Sequence, residues 1–404
     1  MTPPVSKLNE EVRRELRKIA PATSASVYLN CAFAGPVIAP VADALEGRAN
    51  REFLSGRGSV AAWDEYLGWL SDVRGRVSRL LGAEADETGL THHTTEGINA
   101  IIWGLEWEPT DRLVTTTLEH AATLLPLYQL HRRRGVRIDF ADIGFGDPDR
   151  ALDALEAALE RAPRLLVVSH VTWCTGATLP IAEIVEVAHR RGIPVLVDGA
   201  QAVGAVGLDF AELGADFYAF NGYKWLCGPE GTGALLVKRP WLGRLSPTFT
   251  GTFGIDGSVF RANDPESLAP APGAARYEFG CYYQPAIAGF LAAVDWHLSH
   301  GDVARSRIAE LAAFCRERAM ELRGMEVLTP EGSGSGIICV RRADWNGQAC
   351  VARLEELGVM IRHIPTNDAL RISCAFFNSE EEIANSEEEI ADALAWIDEA
   401  TRAK

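Results

Sequence analysis

Between residues 112 and 238 short β-rich apolar runs alternate with amphipathic stretches, and this alternation limits the fold more than any other feature of the 404-residue chain. The runs are RLVTTT (112–117), VRIDFADI (136–143), RLLVVSH (164–170), IPVLVD (193–198), DFYAFN (216–221) and TGALLVK (232–238). Helical candidates fall at 95–106, 120–134, 149–161 and 181–191. Continuous Val, Leu and Ile, rather than strict alternation with polar residues, marks strands covered on both faces. The pattern predicts a largely parallel sheet between layers of helices, an α/β architecture. An earlier helix is expected from about residue 61, where Trp63, Tyr66, Leu67, Leu70, Val73, Val77 and Leu80 recur at three- and four-residue steps.

The stretch from Pro240 to Gly280 breaks this rhythm. It is rich in Gly, Pro, Ser and Thr and too long for an ordinary connection, so it reads as a functional loop region or a junction. Beyond it, a helix over 285–323, a strand over 336–342, a helix over 347–357 and strands over 359–364 and 369–374 predict a smaller α+β domain. Ser379 followed by Glu380, Glu381 and Glu382 is a capping box opening a last acidic helix, and SEEEI at 379–383 and 386–390 reads as a local duplication. The expected division is an N-terminal segment 1–24 contributing to the small domain, a large domain over 25–284 and a small domain over 285–404.

Thirty-nine basic against 55 acidic residues leave a net charge of −16. Such a chain repels phosphate backbones and anionic lipid, so neither nucleic acid nor a membrane is an expected partner. No apolar run is long enough to span a bilayer, and the N-terminus lacks a secretory core. The eight cysteines are scattered, with no C-x-x-C pair and no histidine spacing suited to zinc. No metal site and no disulfide is expected, and a reducing cytoplasm is the natural setting.

Three segments carry polar residues at strand ends, where open α/β sheets bind ligands. VLVDGAQ (195–201) ends a strand on Asp198, AFNGYKW (219–225) places Lys224 just beyond another, and THHTTEGIN (91–99) opens a helix whose first turn presents free N–H groups. Taken singly, Asp198 could cap a helix over 199–206, Lys224 could be a surface lysine and TTEGIN an ordinary helix start. Taken together, an acid, an amine and an anion cradle are what pyridoxal 5′-phosphate needs: a carboxylate for the pyridinium nitrogen, a lysine for the Schiff base and a seat for the phosphate.

The run from about 25 to 395 resembles the class V aminotransferase family of fold type I pyridoxal phosphate enzymes. Within it the chain looks most similar to cysteine/cystine C–S lyases and isopenicillin N epimerase-like proteins, and more distantly to cysteine desulfurases. The resemblance rests on TTEGIN (94–99), LEHAA (118–122), SHVTWCTG (169–176), VDGAQAVG (197–204), NGYKWLCGPEGTG (221–233) and RISCAFFNSEEEI (371–383). It implies a large domain with a mostly parallel seven-stranded sheet, a small C-terminal domain and a homodimer with sites at its interface. It also implies that Lys224 forms the Schiff base, Asp198 keeps the ring nitrogen protonated and His120 stacks on the ring. Gln201 would bond the phenolic oxygen, and Thr94, Thr95 and the N–H of Glu96 would hold the phosphate. Asn221 and Tyr223 stand where the family usually has Ser or Thr and His. Arg371 would take the substrate carboxylate, and Trp173 would shape the substrate pocket. Cys281 replaces a threonine that reaches the phosphate across the dimer.

The cofactor does not fix the outcome. A desulfurase needs a cysteine thiolate on the loop before the carboxylate-binding arginine, and here that loop reads RHIPTNDALR (362–371), with no cysteine. Cys374, three residues past Arg371, falls on the opposite face of the strand. β-Elimination from cysteine, cystine or an S-conjugated cysteine needs no such thiol and is the expected reaction. The alternative is an epimerase, or a decarboxylating or oxidatively deaminating enzyme, acting on a cysteine conjugate in natural-product biosynthesis. Aminotransferase activity is less expected.

Overall fold

The computed structural model describes residues 10–343, 345–386 and 389–390. The chain opens with α1 (Glu10–Lys18), β1 (Val27–Tyr28), α2 (Ala39–Ser55) and α3 (Val60–Leu81). The main sheet follows as β2 (Thr88–Thr91), α4 (Thr94–Gly104), β3 (Arg112–Thr116), α5 (Ala121–Arg134), β4 (Arg137–Ala141), α6 (Pro148–Leu159), β5 (Leu165–Ser169), α7 (Ile181–His189) and β6 (Val195–Asp198). A single turn, α8 (Phe210–Leu213), leads to β7 (Phe217–Asn221), β8 (Gly233–Val237) and the short α9 (Arg239–Leu242).

These seven strands lie in the order β2-β8-β7-β6-β5-β3-β4. Neighbouring pairs are parallel except that β8 runs antiparallel to both β2 and β7. Every residue of β5, β6, β7 and β8 is buried, as continuous apolar strands between helix layers require. Glycine sets the closest of these approaches. A Cβ on Gly97 of α4 would lie 2.9 Å from the Cβ of Ala219 on β7, so its absence lets α4 settle onto the sheet and presents the helix N-terminus at the strand ends.

Three sequence expectations change here. β2 was not among the predicted strands, because four residues reading TGLT carry little β signal beyond their flanks. No helix forms over 199–206, so Asp198 caps none; its Oδ1 instead accepts the N–H of Ala200 at 2.9 Å within a chain of turns. The strand expected over 359–364 divides at Ile361 into two that pair with different partners.

The second half consists of α10 (Gln284–Glu321), β9 (Glu326–Val327), β10 (Ile337–Arg341), α11 (Gly347–Glu356), β11 (Val359–Met360), β12 (Arg362–Ile364) and β13 (Ala369–Ser373). β12-β13-β10-β9 is an antiparallel sheet, while β11 pairs in parallel with β1 from the N-terminal segment. Alternate residues of β13 serve two cores. Leu370, Ile372 and the following Cys374 pack with Ile338 and Val340, whereas Ala369, Ile364 and Cys339 face the core of the large sheet. Along α10, Ile287, Phe290 and Val294 belong to the large core, and Leu311 and Cys315 to the smaller one. α1 is tied to the far end of the chain by Arg13–Glu380 (3.1 Å) and Arg17–Glu382 (2.7 Å) ion pairs.

The 240–280 stretch is ordered and folded back on itself, with Ala271 N–H donating to Gly254 O and Asp256 N–H to Ala269 O. It ends on the buried Glu278, which accepts the Leu90 N–H at 2.9 Å and pairs with Arg74 at 3.0 Å. The Ser379 capping box forms: the Glu382 N–H donates to Ser379 Oγ (3.2 Å) and the Ser379 N–H to Glu382 Oε2 (3.0 Å). The second SEEEI segment lies partly outside the described residues.

Candidate active site

The carboxyl ends of β5, β6 and β7 and the N-termini of α4 and α5 converge on one cleft, lined by Thr94, Thr95, His120, Trp173, Asp198, Gln201, Asn221, Tyr223 and Lys224. Lys224 is half-buried on the turn after β7, and its Nζ lies 5.8 Å from the centre of the Tyr223 ring. Burial pushes its pKa down to about 8; Asp198 works against that shift and Arg371 adds to it. The amine is therefore half unprotonated near pH 8, a state an ordinary surface lysine does not reach.

Asp198 is buried at the end of β6. Its Oδ2 accepts the Thr123 hydroxyl at 2.7 Å and its Oδ1 the Ala200 N–H. Each oxygen keeps a lone pair for a further donor, and two hydrogen bonds fix the plane of the carboxylate. Thr123 comes from α5, which also seats His120 as its N-cap, with His120 Nδ1 accepting the Ala122 N–H at 3.1 Å. An accepting Nδ1 places the proton of the neutral imidazole on Nε2. Burial, helped by Lys224, lowers the His120 pKa, which favours that neutral form. The ring stands edge-on to Trp173 at 4.9 Å between centroids.

Gln201 is more committed than a free amide. Its Oε1 accepts the indole N–H of Trp225 (2.8 Å) and its Nε2 donates to Ala32 O (2.8 Å). Because an indole can only donate, this network fixes the amide orientation and leaves one N–H for a ligand. At the opposite wall, Asn221 Nδ2 donates to Thr94 Oγ1 at 3.1 Å, which frees the Thr94 hydroxyl hydrogen. The first-turn N–H groups of Thr94 and Thr95 have no partner within the helix. Glu96 departs from expectation: its N–H donates to His93 Nδ1 at 3.1 Å, and its carboxylate turns away to His92 Nδ1 at 2.8 Å. The anion cradle of α4 is thus built on two amides and a hydroxyl.

Arg371 sits on β13 with 3% of its surface exposed. Its Nη1 donates to Trp173 O at 3.0 Å, its Nε is buried without a partner, and no acid pairs with it among the described residues. Burial lowers its pKa to about 10. A buried guanidinium with an unpartnered Nε has the donors to take a carboxylate. Its cross-strand partner on β12 is Arg362, which the register places on the same face. Arg362 is exposed, lies 4.6 Å above the ring of Phe33 and has no acidic partner among the described residues. Cys281 is exposed and Cys374 is buried in the smaller core.

These features fit pyridoxal 5′-phosphate on physical grounds. A lysine of lowered pKa, a carboxylate fixed by two hydrogen bonds, a helix start with free amides and an imidazole whose neutral form is favoured line one cleft. Arg362, Thr123 and Glu119 were not singled out from the sequence. Their meaning depends on which residues of separate strands and helices come to face one another, and spacing along the chain does not encode that.

The fold and this site together define a pyridoxal phosphate-dependent enzyme of fold type I. Residues 45–385 match the family described as Aminotransferase class-V, and the chain belongs to that family. A cysteine desulfurase of Haloferax volcanii is 31% identical over 335 residues, 77% of this chain and 76% of the relative. The isopenicillin N epimerase of Amycolatopsis lactamdurans is 30% identical over 376 residues, 88% of this chain and 92% of the relative. By identity alone the desulfurases stand no further off than the epimerase. Among solved structures, the cystine C–S lyase C-DES in complex with its product cysteine persulfide superposes with a TM-score of 0.87 at 27% identity, covering 92% of this chain and 99% of that one. A second C-DES structure, equally similar at 0.87, holds glycine covalently linked to its pyridoxal phosphate.

Proposed function

We propose that this enzyme cleaves the Cβ–S bond of cystine, or of an S-conjugated cysteine bearing a second carboxylate, by β-elimination. The β12–β13 hairpin carries the reading. Only Pro365, Thr366, Asn367 and Asp368 join the two strands. The turn is pinned at Asp368, whose carbonyl accepts the Trp345 indole N–H (2.8 Å) and whose Oδ1 meets His363 Nε2 (2.7 Å). A desulfurase must deliver a thiolate to the substrate sulfur from this side, and the hairpin offers neither a cysteine nor the length to carry one.

The thiols that do surround Arg371 are poor substitutes. Cys31, Cys174 and Cys339 are buried, and burial raises all three pKa values, that of Cys174 to about 12. They are held as neutral S–H groups, which do not attack sulfur. Two guanidinium groups on one face, 371 buried and 362 exposed, suit an amino acid with carboxylates at both ends. The C-DES lyase, whose product is cysteine persulfide, supports the same class of substrate.

When bound, the cofactor supplies the electron sink that makes the α-proton of an amino acid removable. The chain supplies the rest. Arg371 anchors the α-carboxylate, Lys224 takes the α-proton as a free amine, Asp198 holds positive charge at the ring nitrogen, and Trp173 with His120 closes one wall against water. A sulfur leaving group needs no enzyme nucleophile.

Product analysis tests the reading. L-Cystine should yield pyruvate, ammonia and cysteine persulfide in equal amounts. Alanine formed from L-cysteine would instead mark a desulfurase, and recovery of a D-configured amino acid would mark an epimerase, the second reading that similarity over 88% of the chain keeps in view. Arg362→Ala should raise the KM for cystine about tenfold, the loss of roughly one charge-assisted hydrogen bond, and leave S-methylcysteine unaffected.

A further inference from the structure

Beneath the cleft lies a second carboxyl group that these roles leave unused. Glu119, the residue before His120, is 4% exposed. Three donors converge on it: the Thr116 hydroxyl (2.8 Å) and the Ser169 N–H (3.1 Å) on Oε1, and the Ser169 hydroxyl (2.5 Å) on Oε2. Glu119 follows β3 and bonds Ser169 at the end of β5, and Ser169 is in turn the register partner of Asp198 on β6, so the two acids stand on either side of Ser169. An acid buried only to brace β3 against β5 could be replaced by an amide at no cost in charge. Here a carboxyl group has been placed in the field of another.

We propose that Glu119 is a positioning residue that holds a proton beside Asp198 and gives it up when a cationic ring nitrogen arrives there, so that the negative charge under the ring matches the charge above it. The inference rests on the cofactor assignment and goes beyond the reaction proposed for it. The balance of forces on Glu119 is close. Burial favours the neutral acid, the Ser169 and Thr116 donors favour the carboxylate, and Asp198 opposes a second negative charge; together they raise its pKa to about 7. The other titratable groups facing it are Cys174, whose Sγ contacts Leu118 O at 3.8 Å, and His120 in the next position. Cys174 is held neutral, and His120 turns its Nδ1 to Ala122. Asp198 is therefore the fixed charge to which Glu119 responds. A cation delivered to Asp198 cancels that repulsion, and the proton leaves to solvent.

Protons released when the apoprotein binds pyridoxal 5′-phosphate give the test, measured calorimetrically at pH 7 in buffers of differing ionisation enthalpy. Wild type should release about half a proton more than Glu119→Gln, because an acid titrating near 7 is half protonated there. Glu119→Asp should recover part of the difference. Equal proton counts in wild type and Glu119→Gln, with both binding the cofactor, would overturn the proposal and leave the cofactor assignment standing. Failure of wild type to develop the cofactor's absorbance would overturn both. Should Glu119→Gln not fold, infrared difference spectra of wild type replace it. A protonated-carboxyl band lost on cofactor binding at pH 7 supports the proposal, and an unchanged carboxyl region contradicts it.

Discussion

Among the described residues no acid is bonded to the half-buried Lys224 or to the buried Arg371, and what each lacks defines what it can hold. For Lys224 the consequence is a reactive amine. With its pKa near 8 rather than the usual 10.5, the unprotonated fraction rises through pH 7–9, so the apoprotein should react with pyridoxal 5′-phosphate several-fold faster at pH 8.5 than at pH 7. A stopped-flow absorbance series checks the slope. For Arg371 the consequence is a carboxylate receptor. Arg371→Lys keeps the charge and loses the planar fork, which should weaken amino acid binding by about 2 kcal/mol, roughly thirtyfold in KM, while cofactor affinity stays as it was. Both residues stood out in the sequence, Lys224 because it follows an apolar strand and Arg371 through the family resemblance of RISCAFFNSEEEI, although it lies in the middle of β13 rather than at its start. Glu119 and Thr123 did not. Their partners lie 50 and 75 residues away, and only the strand register brings them together.

At the scale of elements, the strands β3 to β8 were legible as continuous apolar runs and the helices α4 to α7 as the amphipathic stretches between them. Short elements were not. β2 is four residues, and the break at Ile361 arises from a choice of partners, β1 against β13, rather than from any local breaker. The turns after Asp198 likewise carry a cap-like sequence that never becomes a helix. Close packing of α4 on β7 is an element-level feature with a direct test. Gly97→Ala inserts a methyl at 2.9 Å from Ala219 and should cost about 1–3 kcal/mol of stability, with cofactor affinity falling as the cradle tilts away. Chemical denaturation and a binding isotherm measure the two effects.

The whole molecule combines a net charge of −16 with a cleft lined by Lys224 and Asp198 from the large sheet, against which Arg371 of the small sheet is held through its bond to the Trp173 carbonyl. No helix among the described residues is long and apolar enough to cross a membrane. Phe53, Leu54 and Tyr283 remain two-thirds or more exposed, apolar side chains that the homodimer implied by the family resemblance would cover. Light scattering should return twice the 43.9 kDa of the chain. Glu119 also contributes to stability at this scale. Its carboxyl binds a proton more tightly folded than unfolded between about pH 4.5 and 7, so it makes folding less favourable as pH rises through that window. Glu119→Gln should flatten the decline of Tm over the same range.

Every role assigned in the cleft depends on the ε-amine of Lys224 carrying the cofactor. Borohydride reduction of the purified holoenzyme, followed by digestion and mass spectrometry, reads this directly. A pyridoxyl phosphate adduct is expected on the peptide containing Lys224 and none on Lys224→Ala. An adduct confined to another lysine, or an unlabelled Lys224 in protein that retains its absorbance, would contradict that assignment.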